Sequence, residues 1–172
     1  MRIFRIALLM LMTVGLAGMA HAQWAVYGTF TGSKLDTSGT PWLYGGTVGI
    51  YRDHGHGLIA TGFDARGEFV QRSDTSLNSG LAGIRLAVTP RVLPIKPYAE
   101  GLVGVGNVGV GQGSGKTSTT AFEYKVLGGV DFTFFPRLDW RVVEFGYGGL
   151  TGDASGVHPK TLSSGLVLRL PF

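Results

Sequence analysis

Beyond residue 22 the chain alternates apolar and polar positions, most clearly in its last segment. From Thr161 to Phe172, Leu162, Leu166, Leu168, Leu170 and Phe172 share one face of an extended strand. Thr161, Ser163, Gly165, Val167, Arg169 and Pro171 share the other. One face suits lipid and the other a polar interior. The same period of two predicts eight strands, near residues 23–32, 42–53, 57–70, 77–89, 95–107, 119–134, 138–149 and 161–172. The connections at 53–56, 89–94 and 135–137 are short. Those at 33–41, 70–76, 109–118 and 149–160 are mostly longer and rich in Gly and Ser. Short turns at one rim and longer loops at the other are what a barrel with both chain ends in the periplasm requires.

The charges keep to one face once a register is chosen. In strand three Ile59, Thr61, Phe63, Ala65 and Phe69 oppose Gly62, Asp64, Arg66 and Glu68. In strand four Ala82, Ile84, Leu86 and Val88 oppose Arg85, and in strand five Ala99, Val103 and Val105 oppose Lys96, Tyr98 and Glu100. Strand six sets Phe122, Tyr124, Val126, Val130 and Phe132 against Glu123, Lys125 and Asp131. Arg169 joins the inward set, as does Glu144 if Val143, Phe145 and Tyr147 face outward. The predicted interior then holds six acids (Asp64, Glu68, Glu100, Glu123, Asp131, Glu144) and five bases (Arg66, Arg85, Lys96, Lys125, Arg169). An eight-stranded barrel is narrow enough for side chains to fill it, so these groups are expected to form ion pairs, with Glu123 serving Lys125 or Arg66. A soluble β-sandwich would instead use Ile59, Phe63, Phe122, Tyr124 and Phe132 as a core.

Strand seven resists this register, because Arg141 falls on the lipid side while Trp140 and Val142 share a face with Glu144. The expected account is that Arg141 sits near the periplasmic rim and snorkels to the headgroups; a β-bulge near Val142 is the alternative. Trp24, Trp42, Tyr44, Phe134, Trp140 and Tyr147 lie near strand ends, where aromatic girdles belong. Inward glycines, among them Gly45, Gly49, Gly62, Gly104, Gly106 and Gly129, would leave room for a water path.

Residues 1–22 carry Arg2 and Arg5 ahead of an apolar run and end in Ala20-His21-Ala22, the form of a cleaved secretory signal peptide. Residues 23–172 are then the mature domain. Removing Arg2 and Arg5 from the 15 basic residues leaves 13 against 11 acidic, a net charge of +2 that makes no case for nucleic acid. The chain has no Cys, so neither disulfides nor thiolate metal sites hold it together. Gly is 29 of 172 residues, well above the usual ~7%, which points to close strand packing.

Three motifs invite chemistry. The segment Gly109-Val110-Gly111-Gln112-Gly113-Ser114-Gly115-Lys116-Thr117 looks like a phosphate-binding loop, with 126–131 as its acidic strand. Val110 stands where the pattern needs Gly, and a strand rather than a helix follows. His54 and His56 beside Asp53 lack a third metal ligand at a recognisable spacing. Ser155, His158, Ser163 and Ser164 invite comparison with lipid A deacylases, but His158 is followed by Pro159 and Lys160 and the His-x-Ser-Asn element is absent. No catalysis, cofactor or metal is expected.

The signal peptide, the Lys96-Pro97-Tyr98-Ala99-Glu100-Gly101 strand opening and the Phe172 ending resemble the OmpA-like and OmpX-like small bacterial outer-membrane barrels. The resemblance implies an all-β, eight-stranded, antiparallel up-and-down transmembrane barrel, monomeric, in the outer membrane of a Gram-negative-type bacterium. Leu166, Leu168, Leu170 and Phe172 would be the face read by the barrel assembly machinery, with periplasmic chaperones escorting the chain. Outer-membrane lipid would surround it, and the outer loops would carry any surface ligand. A structural or surface-interaction role follows. A narrow channel is the alternative, and a lipid-modifying enzyme using Ser155 and His158 a third reading. With no periplasmic domain after Phe172, anchoring to the cell wall is not expected.

Overall fold

The computed structural model describes residues 22–36, 41–55, 58–90, 93–111, 117–152 and 155–171. Residues 1–21 of the expected signal peptide and the terminal Phe172 lie outside the described residues. Eight strands form a closed antiparallel barrel: β1 (Ala22–Leu35), β2 (Leu43–His54), β3 (Ile59–Arg72), β4 (Thr75–Val88), β5 (Ile95–Val110), β6 (Thr117–Phe135), β7 (Leu138–Leu150) and β8 (Pro159–Arg169). Each pairs with the next in sequence, and β1 closes on β8 with Phe30 opposite Ser164. Closure leaves no free sheet edge, the condition for crossing lipid with strands.

The alternation sorts the side chains inside out. Phe63 on β3 is 69% exposed, whereas its neighbour Asp64 is 2% exposed. Phe30, Ile84, Val126, Phe145 and Leu166 also face outward, while Arg66, Arg85, Lys125 and Glu123 are buried. A β-sandwich core would reverse this order. On β3 the outward apolar set runs from Ile59 to Phe69, ten residue steps that, on a tilted strand, span about the ~25 Å of a bilayer's apolar band.

One connection and one strand depart from the sequence reading. The loop expected at 70–76 is a tight hairpin: β3 ends at Arg72 and β4 begins at Thr75, with Ser73 held at φ 48°. The β6–β7 turn is as short as expected, with Arg137 at φ 74°. Strand seven is the second departure. Asp131 pairs with Arg141 while Val130 pairs with Val143, and Arg141 pairs with Gly165 while Glu144 pairs with Ser163. Val142 and Val143 therefore form a β-bulge opposite Ser164 and both face outward. Ser164 stitches it: its hydroxyl donates to the Arg141 carbonyl at 3.0 Å and accepts from Trp140 Nε1 at 3.2 Å. Arg141 does not snorkel to the rim. It points inward and is fully buried.

Candidate functional site

The distinctive chemistry of this fold lies inside the barrel, in layers. At its centre three guanidiniums interleave with three tyrosines. Arg85 stacks over Tyr51 and Tyr98 at 4.2 and 3.8 Å, and Arg141 over Tyr27 and Tyr98 at 4.3 and 4.7 Å. Carboxylates fill the edges. Arg66 pairs with Asp64 at 2.9 Å, with Glu144 at 2.8 Å and with Glu100. Arg85 pairs with Glu100 and, at 3.2 Å, with Asp131. Arg141 pairs with Asp131 and Glu144, both at 3.0 Å. Tyr27 donates its hydroxyl to Asp64 at 2.9 Å and Tyr98 to Glu144 at 2.7 Å. The planar, weakly hydrated guanidinium suits this place, since it accepts ring stacking on its faces and carboxylates in its plane.

A second group lies towards the loop rim. Lys125 pairs with Glu68 at 2.8 Å and Glu123 at 3.3 Å, and Ser79 donates to Glu123. Beside it Thr31, Thr47 and Ser163 share hydroxyl hydrogen bonds. At the loop rim itself inward-facing Leu35, Leu43, Val70 and Leu77 form an apolar cluster, with Val108 and Val157 packed against it. At the opposite rim Asp139 holds Lys96 at 3.1 Å and Arg169 at 2.9 Å.

All eleven charges assigned inward from the sequence lie in these layers, but three further members are not in that set. Asp53, expected in a turn, sits 3.4 Å from Arg85, and Asp139 and Arg141 complete two of the clusters. The signal for the last two was present: Asp139 and Arg141 share one parity and Glu144 the other, so all three can point inward only across an inserted residue. Tyr27 and Tyr51 carry no such signal, because an aromatic in a barrel strand serves equally as a girdle or lipid contact. Glu123 serves Lys125 and not Arg66. The glycines expected to leave room for water are also reassigned. A methyl group at Gly49 would come within 2.4 Å of the Tyr27 ring, and one at Gly129 within 2.5 Å of Tyr98. One at Gly106 would come within 2.4 Å of the Glu123 carboxylate. Their missing side chains make space for Tyr27, Tyr98 and Glu123.

The motifs weighed for chemistry are dispersed. Thr117 opens β6, so a strand follows the glycine run, whose residues 112–116 lie outside the described residues. His56 also lies outside them. Among the described residues no three His, Asp or Glu side chains converge as metal ligands. His158 stacks on Tyr147 with ring centres 6.0 Å apart, and its Nδ1 lies 3.2 Å from the Gly156 carbonyl. Ser163 belongs to the interior hydroxyl cluster and Ser164 to the bulge. Leu166 and Leu168 face outward, and Leu170 is half-buried.

An apolar belt outside and a charge-filled core inside are an arrangement for lipid. This is a transmembrane β-barrel. No protein-family model and no curated protein matches the chain, but solved structures do. Neisserial surface protein A aligns over 87% of this chain and 97% of its own at 17% identity, with a TM-score of 0.60. Ail, the attachment invasion locus protein of Yersinia pestis, covers the same shares at 13% identity and 0.55. A major outer membrane protein from Thermus thermophilus aligns over 87% of this chain and 99% of its own at 9% identity and 0.54. At these identities the likeness is one of fold. This barrel therefore shares its architecture with these proteins, while its interior must be read from its own residues.

Proposed function

We propose that this protein is a closed envelope barrel whose role is structural and surface-directed, without conduction or catalysis. The carrying observation is that the interior is occupied at successive heights. Arg66, Arg85, Arg141 and three tyrosines fill the middle, and Leu35, Leu43, Val70 and Leu77 close the loop end. A water path would have to displace both. Buried Arg–carboxylate groups make a rigid plug when each member is satisfied, and the glycines beneath the tyrosines let that plug pack tightly.

Function then falls to the outer surface. Lipid contacts the apolar belt, the outer loops meet any surface ligand, and the Leu166–Leu168–Leu170–Phe172 face serves recognition by the assembly machinery. The barrel is monomeric in this reading. The experiment is conductance of the mature chain, residues 23–172, in planar bilayers, with boiled and unboiled gel lanes reporting a folded barrel. Silence from the folded species is expected. Discrete, reproducible current steps would overturn the closed reading and favour a narrow channel.

A further inference from the structure

The lipid-facing surface is not uniform. Across β7, β8, β1 and β2 a groove of about 360 Å³ is lined by Val142, Val143, Leu162, Phe30, Trp42 and Tyr44. Its existence has local causes. The β7 bulge turns both valines outward opposite the small Ser164. The Trp42 ring packs over Gly32, its nearest atom in van der Waals contact at 3.4 Å from where a methyl group would stand. Tyr44 stacks on Phe30 with ring centres 6.1 Å apart.

The loop-side end of this groove is cationic. Lys160 and Lys34 face each other directly across the β8–β1 pair, two residues beyond Leu162 and Gly32. Like charges placed opposite one another on neighbouring strands repel and call for a counter-ion. Asp36 reaches Lys160 at 3.1 Å; among the described residues, no carboxylate pairs with Lys34. Arg72 adds a third cation close by, 6.0 Å over the Tyr44 ring. Across β4, β5 and β6 the outward row of Asn78, Asn107 and Thr120 is neutral, with Asn107 donating to Thr120 at 2.8 Å.

We propose that this sector binds a phosphate-bearing lipid of the outer leaflet. One acyl chain lies against Phe30, Leu162 and Val143, and the phosphate sits between Lys34 and Lys160. The two lysines supply the charge a phosphate needs at headgroup height, and the groove beneath supplies the apolar contact a free phosphate could not use. The site is on the exterior, so it stands whether or not the interior conducts.

The test uses the mature chain folded into phosphatidylcholine vesicles carrying a trace of spin-labelled phosphatidic acid or, separately, spin-labelled phosphatidylcholine. The motionally restricted fraction of each label reports lipid held on the protein. The expected result is a several-fold preference for phosphatidic acid that falls towards unity in the K34Q/K160Q double variant and persists in R137Q, on the opposite rim. Lys34 is exposed and the Lys160 side chain is 43% exposed, and a gel shift on boiling confirms that each variant has folded. Equal retention of the two lipids by the wild type would overturn the proposal. So would a preference that survives K34Q/K160Q or disappears in R137Q. Dimerisation through this face, seen as disulfide cross-linking of an L162C variant with neither lipid retained by the wild type, would assign the groove to a second copy instead.

Discussion

Arg141 stacks between two tyrosine rings and reaches Asp131 and Glu144, so truncating it empties the space between the rings and leaves Asp131 to Arg85 and Glu144 to Arg66, with one cation fewer among the buried carboxylates. Breaking a buried pair by removing one partner typically costs about 3–5 kcal/mol. R141A is expected to lose stability on that scale, read as a fall in the urea midpoint in micelles. R141K keeps the charge but not the planar stacking, and should fall between wild type and R141A. E123A should cost less than R141A, because Lys125 retains Glu68. Gly49 poses the opposite problem, of volume. G49A drives a methyl group into the Tyr27 ring and must displace the hydroxyl that Tyr27 donates to Asp64. Overpacking of this kind costs about 1–3 kcal/mol; a midpoint equal to wild type would show that the ring has room to move.

At the scale of elements, the β7 bulge decides which side of the wall each charge occupies. Because side chains alternate, shifting a strand by one residue exchanges its faces. Deleting Val142 therefore forces a choice between Asp139 with Arg141 and Glu144, one set having to enter lipid. A cation on the lipid face at mid-bilayer costs about 2–4 kcal/mol, and the abandoned interior carboxylates add to that. The deletion is expected to abolish the boiling-dependent gel shift, whereas V142A, which keeps the residue count, should retain it. The β3–β4 hairpin offers a test of opposite sign. Ser73 adopts φ 48° in a two-residue connection, a conformation glycine accepts more readily. S73G should raise stability by up to about 1 kcal/mol in the same urea assay.

For the whole molecule, the interior ion pairs are shielded from solvent by the barrel wall. The side chains of Arg66, Lys125 and Arg141 and their carboxylate partners are at most 3% exposed. Salt screens exposed charges and leaves buried pairs nearly untouched. The unfolding midpoint of the folded barrel should therefore be nearly the same in low salt and in molar NaCl, while the lipid preference at Lys34 and Lys160 should weaken. A midpoint that drops steeply with salt would mean that the interior is wet and accessible.

The alternation of residue types was enough to assign the strand count, the outward belt and eleven inward charges, because in a barrel each side chain's face depends only on parity along its own strand. Where parity broke, at Asp139, Arg141 and Glu144, the sequence held the contradiction but not its resolution. Snorkelling and a bulge satisfied it equally, and only pairing with both β6 and β8 inserts Val142 and Val143 opposite Ser164. Which charge meets which was likewise beyond the chain: Arg66 and Glu144 are 78 residues apart and 2.8 Å distant. The glycines misled for the same reason. Alone, Gly49 is empty space, and only a neighbouring strand places Tyr27 within it. Parity is a local property carried by the sequence, whereas partnership across the lumen and the filling of its volume are set by closure of the barrel.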